Sequence, residues 1–199
     1  MKIGVDVDGV IINSDESIRV HAELFDLFNS KDKGIQVKEG IVLAEEMYDW
    51  SEEERKEFIT KRLHEAIYNA PYVPGAIKIL KKLKEDGHEL ILITARGTLI
   101  PELKEETEQR IKESGLEFTK KYYKQNRKVD IALAEDIDVM IDDRASICKA
   151  MSDNKIHGLY LRDINRPIFE ENEYFHEVNN WGEIYRFIYN LNRKENRNE

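Results

Sequence analysis

A single cysteine, Cys148, stands among 199 residues, so no disulfide can form within the chain. A reactive thiol needs a base or a cation beside it, and the simpler expectation for Cys148 is a buried, neutral side chain. Long apolar runs are missing as well, none approaching the roughly 18–20 residues that a membrane-spanning helix requires. Positive charge is in the minority, 31 Lys and Arg against 40 Asp and Glu, for a net charge of −9. That balance argues against a nucleic-acid polymer as partner, because such binding depends on Lys and Arg neutralising phosphates. A small phosphate remains possible where local cations, dipoles or a metal ion reverse the field in one cleft. No repeat or low-complexity tract is found. The opening residues, Met1 to Ile12, are apolar but hold two aspartates and no small-residue cleavage site, which reads as a first strand and not a leader. The expectation is a soluble, cytoplasmic protein.

With 41% hydrophobic residues, the chain can build one sizeable core and still carry an insert. Strand-like runs alternate with helical patterns, which predicts an α/β fold with a mostly parallel, doubly wound (Rossmann-like) sheet between two helical layers. The predicted strands are Lys2 to Val7, Glu89 to Thr94, Val139 to Ile141 and His157 to Leu161. Predicted helices follow Pro74 and Gly75, cover Glu102 to Ser114 with a stop at Gly115, cover Val129 to Glu135, and close the chain from Gly182 to Leu191. The last residues, Arg193 to Glu199, read as frayed and solvated. Between the first two strands lie far more residues than a crossover needs. Two helical patterns occupy that stretch, Glu16 to Asn29 and a second beginning at a Ser51/Glu54 capping box with Ile59, Leu63 and Ile67 at helical spacing. Residues 15–72 are therefore expected to form a small helical cap, and residues 1–14 and 73–199 the α/β core.

Chemistry-bearing residues gather at the predicted strand ends. Asp6-Val7-Asp8-Gly9-Val10 closes the first strand, and in a doubly wound sheet ligands bind outside the carboxyl ends of the strands. Two aspartates one residue apart would point to opposite faces of a continuing strand; a turn at Gly9 lets both converge on the cleft. The alternatives are a solvated strand-end turn or a calcium loop, and the apolar residues after Gly9 do not supply the oxygen ligands a calcium loop requires. Thr94 closes the second strand, where its hydroxyl and the next backbone N–H groups, beginning with Ala95, can donate to phosphate oxygens. Arg96 either reaches a phosphate bidentately or pairs with an acidic helix face. Asp142 and Asp143 end the third strand, and adjacent carboxylates repel unless a cation or hydrogen bonds compensate. A divalent metal resolves that conflict, and magnesium suits one or two carboxylates plus water and phosphate oxygens. Alternatively the pair is a polar turn before a helix at Ser146. Lys128, or its competitor Lys124, could balance the charge of a nucleophilic aspartate and a bound phosphate.

Taken together, the segments VDVDGV, LITAR, Lys128 and MIDDR, in that order, resemble the four motifs of the haloacid dehalogenase superfamily. ITAR paired with IDDR and a compact helical cap is similar to its 5′(3′)-deoxyribonucleotidase-like group. The resemblance implies a Mg2+-dependent phosphomonoesterase. Asp6 attacks phosphorus to give an aspartyl-phosphate, and Asp8, kept partly protonated by its anionic surroundings, serves as acid and then base. Thr94, Ala95, Arg96 and Lys128 hold the phosphate, and Asp6, Asp8, Asp142 and Asp143 surround the metal, Asp143 binding it through water or positioning Lys128. The implied substrate is a small phosphomonoester, a nucleotide, with Phe25, Phe28, Tyr48 or Trp50 of the cap available for stacking. Rival readings are a sugar phosphatase of the same mechanism, a phosphorylatable receiver domain, and a catalytically silent phosphate-binding regulator.

Overall fold

The computed structural model describes residues 1–30, 32–37, 44–163 and 166–198. Six strands form one sheet: β1 (Lys2–Val5), β2 (Glu89–Ile93), β3 (Lys120–Tyr122), β4 (Val139–Asp142), β5 (His157–Leu161) and β6 (Phe175–Val178). Every neighbouring pair is parallel and the order is β3-β2-β1-β4-β5-β6, that of a doubly wound sheet. The central strands are covered on both faces, which is why Ile3, Val5, Leu90, Leu92, Val139 and Ile141 are fully buried and why their sequences read as continuous apolar runs. The strand order reverses at β1, which lies between β2 and β4. The chain ends leaving β1, β2 and β4 therefore meet over one crevice.

Eight α-helices complete the described residues: α1 (Ser14–Asn29), α2 (Glu52–Lys61), α3 (Leu63–Tyr68), α4 (Ala76–Glu85), α5 (Leu103–Ser114), α6 (Lys128–Ala134), α7 (Ala145–Asp153) and α8 (Trp181–Asn198). Helix α5 stops where expected, its last carbonyls satisfied by the Gly115 N–H with Gly115 at φ 68°, a conformation glycine adopts without steric cost. The Ser51/Glu54 capping box forms in both directions at the head of α2. The helix it opens is shorter than its periodicity suggests. It ends at Arg62 (φ −120°), and a second helix, α3, turns Leu63, Ala66 and Ile67 inward. At the other end of the chain α8 continues to Asn198 instead of fraying after Leu191.

Of the four apolar clusters among the described residues, two position the site. One joins β1, β2, β4 and β5 to α4 and α8. The other lies in the inserted residues: Ala22, Phe25, Met47, Tyr48, Trp50, Phe58, Leu63 and Ile67 pack together with Leu103 of α5, the contact that seats the insert on the sheet domain. Phe25 and Trp50 meet edge to face at 4.9 Å, and the Trp50 indole donates to Asp26 at 2.7 Å. Three of the four aromatic residues considered for base stacking thus form the interior of the insert, and Phe28 projects away from it, 75% exposed. Trp181, the anchor of α8, is buried and donates its indole N–H to the Val10 carbonyl at 2.9 Å. Cys148 is buried in α7, and burial with the neighbouring Asp142 and Asp143 pushes its thiol well above the ordinary value, so it stays protonated. Among the described residues no helix is long and apolar enough to cross a membrane.

Candidate active site

The loop after β1 is built by one carbonyl. Val7 accepts from the backbone N–H groups of Val10, Ile11 and Ile12, which folds the chain back at Gly9 (φ 68°). This turn brings Asp6 and Asp8 to the same cavity, as a turn at Gly9 predicts. Gly9 has a second function: a Cβ there would stand 2.6 Å from Asp143 Oδ2 and 2.8 Å from its Cβ and Cγ. The absence of a side chain is what lets Asp143 approach the loop. Gly9→Ala should therefore weaken any divalent-cation binding by about 10- to 100-fold, the usual cost of disturbing a ligand's support. Calorimetric titration of the purified variant with magnesium checks this.

The cavity measures about 390 Å³ and lies at the carboxyl ends of the central strands. Its floor holds Asp6, Asp8, Thr94, Lys128 and Asp143, and its upper wall is aliphatic, formed by Ile18, Leu63, Ile67, Ile100 and Leu103. Among the described residues no aromatic ring lines it. A broader depression between α3 and α5, about 720 Å³, carries Tyr68, Tyr72, Glu106 and Arg110 but none of the strand-end aspartates.

Of the two candidate lysines, Lys128, the first residue of α6, is the one that pairs with the strand-end aspartates. Its buried ammonium donates to Asp6 Oδ2 and Asp142 Oδ2, each at 2.7 Å. Burial alone would lower its pKa; the two carboxylates more than offset that and raise it, so it is a fixed cation. Lys124 lies over Gly97, with its backbone N–H on the Arg96 carbonyl. Asp142, not Asp143, is the carboxylate that positions Lys128, and the Arg144 backbone N–H steadies its other oxygen at 2.9 Å.

Asp6, Asp142 and Asp143 form a buried group whose ligand oxygens all lie within 4.8 Å of one another. Burial raises Asp6, Lys128 opposes, and Asp142 and Asp8 raise it further, giving a pKa of about 6. Asp143 is likewise raised, chiefly by burial. Asp6 Oδ1 is buried and has no hydrogen-bond partner among the described residues. Counting Asp8 and Asp15, five carboxylates face four cations, Lys128, Arg96, Arg144 and Arg166. An orphaned carboxylate oxygen, clustered hard oxygen donors and a local excess of negative charge fit a divalent cation such as magnesium. Asp6, Asp142 and Asp143 are the residues placed to hold it.

Asp8 stands apart from that group. Arg96 Nε reaches both Asp8 oxygens at 3.1 Å, and Nη2 reaches Oδ1 at 2.8 Å. Burial pushes Asp8 up, but the guanidinium prevails and holds it below the ordinary carboxylate value. This corrects the expectation of a partly protonated Asp8: its nearest charge is a cation, not a carboxylate. Arg96 is itself buried and is locked by a bond from Nη1 to Thr107 Oγ1 at 2.9 Å, and the carboxylate it pairs with is the strand-end Asp8 and not an acidic helix face. Thr94 is buried at the end of β2, its hydroxyl accepting from the Arg96 N–H at 3.2 Å, with Ala95 beside it on the cavity wall.

Arg166 and Asp15 were not legible as site residues. Arg166, 8% exposed, donates from Nη2 to Asp143 Oδ2 at 2.7 Å and from Nη1 to the Asp143 carbonyl at 3.0 Å, and also grips Asp15. The signal available was position: Arg166 follows β5, another strand whose carboxyl end faces the crevice.

No family model matches the chain. A protein of Oceanobacillus iheyensis named "Putative nucleotidase" is 27% identical over 164 residues, covering 76% of this chain and 81% of that one. Among solved structures, a haloacid dehalogenase-like family hydrolase from Xanthomonas campestris superposes with a TM-score of 0.59 at 16% identity, covering 99% of this chain and 98% of the other. A D,D-heptose 1,7-bisphosphate phosphatase from B. bronchiseptica, complexed with magnesium and phosphate, gives a TM-score of 0.52 at 12% identity, covering 96% and 99%. With its all-parallel sheet and strand-end aspartates, the chain has the fold of the haloacid dehalogenase-like hydrolases.

Proposed function

We propose that the chain is a magnesium-dependent phosphomonoesterase that works through an aspartyl-phosphate on Asp6, with residues 15–72 acting as a cap over the site. The observation that carries this reading is Asp6 Oδ1, a buried and unpartnered carboxylate oxygen at the floor of a cavity, beside a fixed lysine and two further carboxylates. Magnesium, when bound, offsets the repulsion between these carboxylates and an incoming phosphate dianion. Asp6 Oδ1 forms a bond to phosphorus as the ester P–O bond breaks. Lys128 and the backbone N–H groups after Thr94 hold the equatorial oxygens, where negative charge is greatest. The leaving oxygen takes its proton from Asp8, which must first gain that proton from solvent because Arg96 holds it ionised at rest. Water then attacks phosphorus, the Asp6–phosphorus linkage breaks, and Asp8 receives the water's proton. Because Arg96 keeps Asp8 ionised, its role as base is the one the resting geometry favours.

A nucleotide is the proposed substrate, supported by the similarity to the Oceanobacillus protein. The aliphatic, ring-free cavity wall favours a second reading, a non-aromatic phosphomonoester such as a sugar phosphate. Hydrolysis of an aryl phosphate with and without magnesium tests the reaction, and a panel of nucleotides and sugar phosphates separates the two readings. No magnesium-dependent hydrolysis of any of them would end the proposal.

Metal and pH should act together on stability. Asp6 has its folded-state pKa raised to about 6, so the stabilisation from its proton is complete below the ordinary 3.8 and lost as pH rises through about 6. Magnesium competes for the site vacated by that proton. At a hundredfold excess over Kd it should add about 2.7 kcal/mol at pH 7.5. That corresponds to roughly 5–10 °C in Tm. At pH 5 the gain should be clearly smaller. Thermal melts across magnesium concentrations at both pH values measure it, and an equal gain at the two would contradict the assignment of Asp6.

A further inference from the structure

Resting on the metal site proposed above, we infer that Arg166 is a positioning residue that sets the Asp143 carboxylate for the cation and ties it to the first helix of the insert. Three observations converge on it. Arg166 makes a fork to Asp143, taking the side-chain oxygen at 2.7 Å and the main-chain carbonyl at 3.0 Å, which fixes both where the residue sits and how its side chain is turned. Its remaining edge engages Asp15 Oδ2, with Nε at 3.1 Å, so the guanidinium cannot rotate out of the plane that Asp143 sees. Asp15 lies in the first turn of α1, and one turn further along that helix Arg19 donates to Asp163 Oδ2 at 2.8 Å. The segment after β5 thus grips the insert's first helix at two points on one face while holding a candidate metal ligand with the same arginine. The opposite side of Asp143 is bounded by Gly9, where no side chain intrudes. Asp143 is held between an arginine fork and a bare backbone.

A planar fork with donors on two edges is something a lysine cannot reproduce, which makes charge and geometry separable. Arg166→Lys keeps the charge and loses the fork. Arg166→Gln combined with Asp15→Asn loses the fork and leaves the net charge of the site unchanged. Magnesium binding is read by calorimetry on the substrate-free protein, with kcat and KM for an aryl phosphate and Tm in metal-free buffer alongside. Both variants should bind magnesium about tenfold more weakly, the scale on which outer partners of a metal ligand act. At subsaturating metal kcat should fall correspondingly, with KM for the ester little changed. Binding within about twofold of wild type in both variants would overturn the inference, since that is well below the usual cost of losing such a partner. Should the double variant not fold, Arg166→Lys decides alone. If the wild-type chain itself neither binds magnesium nor hydrolyses the ester, the proposed function is what fails, and the inference falls with it.

Discussion

The Asp6→Asn variant is expected to lose turnover of every phosphate ester by roughly four to six orders of magnitude, the scale on which removal of a catalytic nucleophile acts. The amide keeps the size and the floor of the cavity but has no carboxylate oxygen to bond with phosphorus. Folding should not suffer. Asp6 sits beside Asp8 and Asp142, and burial together with those two carboxylates already raises its pKa. Neutralising it relieves repulsion while Lys128 retains Asp142 at 2.7 Å. In metal-free buffer at pH 7.5 the variant should melt no lower than wild type. Steady-state kinetics, with acid-quenched samples assayed for covalent phosphate, read the outcome. Substantial residual turnover in a clean preparation, or a phosphorylated protein without Asp6, would rule out attack by this residue.

Lys128→Met is expected to be the most destabilising single change in the site. Lys128 is 4% exposed and is the shared cation of two buried carboxylates. Its removal strands both, and breaking a buried pair from one side costs about 3–5 kcal/mol because the remaining charge is uncompensated. For a chain of this size that is a fall of roughly 6–20 °C in Tm. Magnesium should recover part of the loss, since a divalent cation can stand in for the missing positive charge. Thermal melts of the variant with and without magnesium give the comparison. A Tm equal to wild type in metal-free buffer would mean that Asp6 and Asp142 are not mutually dependent on this lysine.

Much of the core was readable from residue order because central parallel strands are covered on both faces and leave apolar runs. The segments of β1, β2, β4 and β5 show this directly. The strands that escaped, β3 and β6, are the two edges of the sheet. An edge strand faces solvent on one side and can carry charge, as Lys120 and Lys121 do in β3 and Glu177 does in β6. In the site, the aspartates and Thr94 were legible because they lie at strand ends. The pairings were not. Asp8 and Arg96 are 88 residues apart, and Asp15 and Arg166 are 151 apart, distances over which no local pattern reports a contact. That is why the pairing of Arg96 with Asp8 could not be read from the sequence. The break at Arg62 escaped for a related reason. The apolar spacing continues across it, and only packing of Leu63 and Ile67 into the insert's interior requires the helix to restart.

The bond from the Trp181 indole to the Val10 carbonyl spans 171 positions of the chain and ends on the loop that carries Asp6 and Asp8. During synthesis Asp6 and Val10 emerge long before that tryptophan exists, and a chain stopped short of α8 would hold the proposed nucleophile without the brace beneath it. If the proposed reaction is carried by that loop, products of translation truncated before Trp181 are expected to be inert towards phosphate esters.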